Sequence, residues 1–240
     1  MANESKIVFT GGNGLLGTTF KKIRPDIEYT DIEDYDITDY GQMKAYFEPG
    51  GFDVMLHCAA FTSPPLIDKD PVKAIEVNIV GTANVVKLCA EFNARLIYVC
   101  TDYVFKGDKG NYKEDDPVFP VNKYAWSKLG GECAVRLYDK SLIIRTTFGP
   151  DVFPYEKAFV DQWTSRESVS VIAGMISKLV DIDATGVVHV GGKRKTVMEF
   201  ANSLDPSKQI GDLSINDVSF SVPVDTSLNV DKYNELVNKS

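Results

Sequence analysis

Short β-rich runs alternate along this chain with segments of helical spacing. Ile7–Thr10 (IVFT), Ile27–Asp31 (IEYTD), Phe52–Ala60 (FDVMLHCAA), Arg95–Asp102 (RLIYVCTD), Leu142–Thr147 (LIIRTT) and Gly186–Gly191 (GVVHVG) predict strands. Helical periodicity marks Leu15–Ile23, Asp39–Glu48, Asp70–Asn93 with Pro71 near its first turn, Lys123–Asp139 and Val197–Leu204. Several strands are apolar on both faces and separated by helices, so the expected class is α/β: a Rossmann-type, doubly wound parallel sheet with helices on both sides. After Pro150 the rhythm loosens. Residues 1–150 therefore read as one Rossmann domain, and 151–240 as a small, abbreviated C-terminal lobe interleaved with the sheet edge. The polar, Pro- and Gly-bearing loop 106–121 predicts a functional lid or a disordered insert.

The junction of the first strand and first helix reads Thr10-Gly11-Gly12-Asn13-Gly14-Leu15-Leu16-Gly17. In a strand–turn–helix setting, Gly11 permits the tight turn, Gly14 lets backbone approach a diphosphate, and Gly17 allows close helix–sheet packing. Free amides at the helix start then converge on an anion. Gly11, Asn13, Gly14, Leu15, Leu16 and Gly17 thus form a candidate dinucleotide site. Asp31 ends the second strand, where an acid can accept from adenosine ribose hydroxyls and repel a 2′-phosphate, which favours NAD(H) slightly over NADP(H).

Composition removes whole classes. A formal charge of −8 over 240 residues and a pI near 4.9 argue against nucleic acid or an anionic membrane as partner. No run approaches the ~18 apolar residues of a membrane span, and no signal-peptide pattern opens the chain. Cys58, Cys89, Cys100 and Cys133 lie singly in apolar runs and read as buried hydrophobes in a reducing compartment, so the cytoplasm is expected and no metal site is.

Tyr124 and Lys128 stand one helical turn apart. Tyr40 and Lys44 share that spacing, so spacing alone decides nothing. Position does: only Tyr124 lies on the helix after the strand that ends at Cys100-Thr101-Asp102, at the carboxyl edge where open α/β sheets bind ligands. Lys128 and an oxidised nicotinamide would stabilise a phenolate whose free pKa is ~10, so Tyr124 can serve as the acid that protonates a carbonyl as hydride arrives.

With these residues in place, the chain resembles the extended short-chain dehydrogenase/reductases over Lys6–Gly149. Thr101-Asp102-Tyr103-Val104-Phe105, Asn122-Lys123-Tyr124-Ala125 and Arg145-Thr146-Thr147 make it similar to the dTDP-4-dehydrorhamnose reductase family within them. The resemblance implies Thr101, Tyr124 and Lys128 as catalytic residues. It implies Asp36, Ile37, Cys58, Ala59, Ala60 and Thr62 at the dinucleotide, together with Tyr124 and Lys128. Asp102, Tyr103 and Phe148 would face a sugar nucleotide. The function it implies is NAD(P)H-dependent reduction of a nucleotide-linked 4-keto-6-deoxysugar, as in dTDP-rhamnose biosynthesis; the oligomeric state stays open, a homodimer included.

Two departures keep alternatives in view. Only sixteen residues separate Arg145 from Asp161, too few for the helix such reductases usually place there, and the C-terminal part is short. The alternatives are a non-catalytic dinucleotide-binding regulatory subunit and another sugar-nucleotide epimerase or reductase. The basic trio Lys193-Arg194-Lys195 reads as a solvated loop, with a diphosphate contact as its other reading.

Overall fold

The computed structural model describes residues 5–218 and 222–239. Its centre is a six-stranded, all-parallel sheet of β1 (Ile7–Thr10), β2 (Glu28–Thr30), β3 (Val54–His57), β4 (Arg95–Thr101), β5 (Ser141–Thr146) and β6 (Gly186–Val190), in the order β6-β5-β4-β3-β1-β2. The chain steps outward from β1 to β2 and then returns to place β3 on the other side of β1. A crevice therefore opens at the carboxyl ends of β1 and β3, the switch point of the sheet.

The apolar strand runs follow from burial on both faces. Val8, Met55 and Leu96 point into one core, beneath α2 (Tyr40–Phe47), α5 (Thr82–Glu91) and α6 (Lys123–Val135). Their chain neighbours Phe9, Leu56 and Ile97 point into the other, with Phe20 of α1 (Leu15–Ile23) and Ile172 and Ile176 of α7 (Val169–Val180). The sequence pattern does not mark α7. The ladder residue Arg145, 1% exposed, is neutralised by Glu132 of α6, 0% exposed, through bonds of 2.7 and 3.1 Å, which ties α6 to β5.

The predicted helix 70–93 is present as one uninterrupted helical run, Pro71 to Glu91, but it is not α-helical throughout. It runs as α4 (Pro71–Ala74), capped by the Asp70 side chain, then a π-helical stretch Ile75–Gly81, then α5. A further short helix, α3 (Pro64–Lys69), precedes it.

Residues beyond Pro150 serve two places. α7 and β6 complete the main sheet. Phe153, Ala158, Val197, Phe200 and Ala201 make a separate small core under α8 (Val197–Leu204), flanked by the strand pairs Lys157–Phe159 with Gly211–Leu213 and Trp163–Thr164 with Lys195–Thr196.

The loop 106–121 is neither a free lid nor a disordered insert. Tyr112 is buried and stacks on Phe105 at 4.3 Å, and its backbone pairs with Ser227 and Asn229 at 2.9 and 2.7 Å. The Asp225 amide donates to the Gly107 carbonyl at 2.8 Å. Gly110 has φ +68°, and a Cβ there would stand 2.2 Å from the Asp225 carboxylate, so this contact requires glycine. The polar composition that suggested mobility is consumed by these bonds. The segment 222–230 is the clamp, and it leads into α9 (Asp231–Asn238).

Candidate active site

The glycine turn has the geometry its spacing predicts. Gly11 has φ +78°, and a Cβ on it would meet Ala59 backbone at 2.9 Å, so β1 and the β3 exit approach too closely for any side chain. A Cβ on Gly17 would lie 2.6 Å from the carbonyl oxygens of both Gly11 and Gly12. Gly14 differs: φ is −71°, its Cβ position meets only the Gly11 oxygen at 3.3 Å, and it lines the cleft. No side chain caps α1, so amides of its first turn remain for an anion.

Asp31 sits at the cleft wall after β2. Its carboxylate accepts from the Asn13 amide at 2.7 Å and the Ile32 amide at 2.9 Å. Asn13 itself is not on that wall: its side chain reaches out to Glu33 at 3.3 Å. The other expected dinucleotide residues, Leu15, Leu16, Asp36, Ile37, Cys58, Ala59, Ala60 and Thr62, all line the same cleft of about 780 Å³.

Beneath them His57 is fully buried. Thr10 Oγ1 accepts the amides of Cys58 and Ala59, so its own hydrogen goes to His57 Nδ1 at 2.8 Å, and Nε2–H is left to donate to Thr82 at 3.1 Å. Burial pushes this imidazole down to about 3, so it stays neutral and structural.

The same cleft continues to Thr101, Tyr124 and Lys128. Thr101 is the last residue of β4; Asn122, the residue before α6, accepts the Ala125 amide on its side chain at 2.8 Å, a cap that directs Tyr124 and Lys128 toward Thr101. Burial, with Cys100 and Asp102 nearby, holds the Tyr124 phenol well above its ordinary value, and the facing Thr101 hydroxyl offsets only part of that. Lys128 is 3% exposed, its ammonium lies 4.3 Å over the Tyr98 ring, and burial lowers its pKa. Among the described residues no carboxylate comes within ion-pairing range of it, which leaves its hydrogens for a ligand.

The π-helical stretch supports this geometry. Asn78, turned inward, holds the Phe61 amide at 2.7 Å and carbonyl at 2.9 Å and donates to Ser127 Oγ at 2.8 Å, fixing α6 next to Tyr124.

Asp102, Tyr103 and Phe148 line the far side of the cleft, joined by Thr147, Tyr155 and Arg166. Asp102 is buried and accepts from Thr226 at 2.7 Å and Thr101 at 3.2 Å; burial pushes it up to about 6. Tyr155 and Arg166 come from the lobe whose pattern was too irregular to place. Two residues of the basic trio are occupied elsewhere, Arg194 pairing with Asp225 at 2.7 Å and Lys195 with Glu167, while Lys193 is exposed. Cys133 is exposed on α6, unlike the buried thiols Cys89 and Cys100. No helix among the described residues is long and apolar enough to cross a membrane.

Comparison with known proteins adds a common theme. Residues 5–176 match the model of the RmlD substrate binding domain. A dTDP-4-dehydrorhamnose reductase of Mycobacterium tuberculosis is 35% identical over 159 residues, which cover 62% of this chain and 52% of the relative. The methionine adenosyltransferase 2 subunit beta of Xenopus tropicalis is 36% identical over 121 residues, 50% of this chain and 35% of that one. The matched part thus spans about half the length, or less, of these two curated relatives. A crystal structure of dTDP-4-dehydrorhamnose reductase from Bacillus anthracis, in complex with NADP, superposes with a TM-score of 0.86 at 24% identity, covering 100% of this chain and 98% of that one.

Proposed function

The chain belongs to the RmlD substrate binding domain family, and on that premise we propose that it is an NAD(P)H-dependent reductase of a nucleotide-linked 4-keto-6-deoxysugar. The observation that carries this reading is one continuous cleft in which the glycine turn leads to Thr101, Tyr124 and Lys128. A nicotinamide dinucleotide would supply the hydride. The first turn of α1 would hold its diphosphate, and Lys128 its nicotinamide ribose. Thr101 would hold the substrate's carbonyl oxygen, and Tyr124 would give that oxygen a proton, its phenolate steadied by the Lys128 ammonium.

We read the cofactor as NADH at least as readily as NADPH, because Asp31 lines the cleft just past β2, where a carboxylate would repel a 2′-phosphate. Tighter NADPH binding in a titration would reverse this. The four unbridged thiols, two of them buried, suit a reducing compartment, so we place the protein in the cytoplasm. The test of the reaction is oxidation of NADH or NADPH with a panel of 4-keto sugar nucleotides; a saturated, folded protein that reduces none of them is no reductase.

A second reading, a dinucleotide-holding regulatory subunit, is favoured by the stretch between β5 and Asp161, which contains no helix, and by the matched subunit beta. It predicts cofactor binding with no turnover in the wild type.

A further inference from the structure

Three cations line the cleft: Lys73, Lys128 and Arg166. Lys128 sits at the reacting centre, and Lys73 lies 5.2 Å over the Phe61 ring. Arg166 is different. The lobe's other arginine, Arg194, and its neighbour Lys195 are both neutralised by carboxylates, whereas among the described residues no carboxylate lies within ion-pairing range of Arg166.

Its position is fixed. The Arg166 amide donates to Thr164 Oγ1 at 3.0 Å, its side-chain Cδ lies over Gly149, 3.8 Å from where a Cβ would stand, and its Nε approaches Thr147 Oγ1 at 3.5 Å. The guanidinium thus stands just past the end of β5, with its charge felt by Asp102 and Tyr103. The glycine turn lies off the end of β1. β5 is three strands away across β3 and β4, about 14 Å at ~4.8 Å per strand, so Arg166 is placed beyond Thr101 rather than at the dinucleotide's diphosphate.

We propose that Arg166 binds the diphosphate of the nucleotide-linked substrate, as a second anion site of the cleft. This rests on the reductase reading above and names the residue that recognises the nucleotide half of the substrate. A sugar carbonyl at Thr101 and Tyr124 leaves the sugar's phosphate on the Arg166 side. A guanidinium offers two parallel N–H donors to phosphate oxygens, and its half-buried setting strengthens each bond. A free cation in a protein of charge −8 also counters the repulsion a dianionic ligand would otherwise meet.

The test is calorimetric titration of NADH-saturated protein with dTDP, UDP and thymidine, in wild type, Arg166→Met and Arg166→Lys. We expect both diphosphates to bind more tightly than the nucleoside. Arg166→Met should weaken dTDP about 10–100-fold, as for a lost charge-assisted bond, with thymidine and NADH unaffected; Arg166→Lys should recover part of the loss. Retained NADH binding shows each variant folded. Undiminished dTDP affinity in Arg166→Met overturns the assignment and leaves the sugar-nucleotide reading standing. Wild type that binds NADH but no nucleoside diphosphate overturns both.

Discussion

Gly14 and Gly17 lie one helical turn apart yet should fail in opposite ways. At Gly17 an added methyl must displace two backbone carbonyl oxygens, each 2.6 Å away, and backbone cannot swing aside as a flexible side chain can. Overpacking of this kind costs ~1–3 kcal/mol, here at the upper end, against a gain of about 1 kcal/mol in helix propensity. Gly17→Ala should therefore lose about 2 kcal/mol, or roughly 4–8 °C in Tm for a chain of this length. At Gly14 the backbone is extended, with φ −71° and ψ 172°, which valine adopts without strain, and one oxygen at 3.3 Å is the nearest obstacle. Gly14→Val should unfold within a few degrees of wild type while its methyls fill the space a diphosphate needs, weakening NADH at least ~100-fold. Thermal scans and calorimetric NADH titrations of both variants read the two effects separately. Wild-type NADH affinity in a folded Gly14→Val protein would refute the cofactor assignment, and an unshifted Tm in Gly17→Ala would refute the packing argument.

Tyr124→Phe should cut reduction of a 4-keto sugar nucleotide ~10²–10⁴-fold with cofactor binding retained, whereas Lys128→Met should impair both; steady-state rates beside NADH titrations distinguish them, and equal rates in Tyr124→Phe would exclude it as the acid. Glu132→Gln strands the buried Arg145 charge and should cost about 3–5 kcal/mol in urea denaturation; a loss under ~1 kcal/mol would mean that water reaches the pair. Asp102 has a folded pKa of about 6 against an ordinary 3.8, so the folded state binds the proton more tightly. Its stabilising contribution is full below pH ~4 and is lost as pH rises through 6, by about 3 kcal/mol. Wild-type stability measured relative to Asp102→Asn should fall by that order between pH 4 and 7, and a difference that stays constant would contradict the burial argument.

Much of this site can be read from residue order because its Rossmann half is local. The turn Gly11–Gly17 and helix Leu15–Ile23 follow from glycine spacing and apolar period, and the second Tyr…Lys copy is set apart by position: in the structure Tyr40 and Lys44 both engage Glu91, away from the cleft. What escapes the pattern depends on distant partners. The polar face of α7 is thin, only Ser170, Ser177 and Lys178 among twelve residues, because its other side packs on α1 and the sheet, so its helical period is weakly marked. The π-helical stretch at Asn78 is invisible because its residues are as apolar as those of an α-helix; only the inward amide, satisfied by Phe61 and Ser127, sets it apart. Arg166 and Tyr155 reach the cleft from short irregular segments whose placement depends on the lobe core rather than on any periodicity. The 106–121 loop looked mobile because its hydrogen-bond partners lie over a hundred residues downstream, Asn111 with Ser227 among them.

That last arrangement has a kinetic consequence. The bond from Thr226 to Asp102 joins positions 124 residues apart, and the same segment clamps the loop that leaves β4. During synthesis the sheet strands β1 to β5 emerge well before their clamp, so the nascent chain must carry an unfinished carboxyl edge until 222–230 arrives. Closure of so long a loop is entropically slow, and the last event of folding should be the one that finishes the floor of the cleft. A lesion such as Thr226→Pro would then act as a maturation defect: abundant, helical, cofactor-competent protein that reaches its working form late or is cleared before it does.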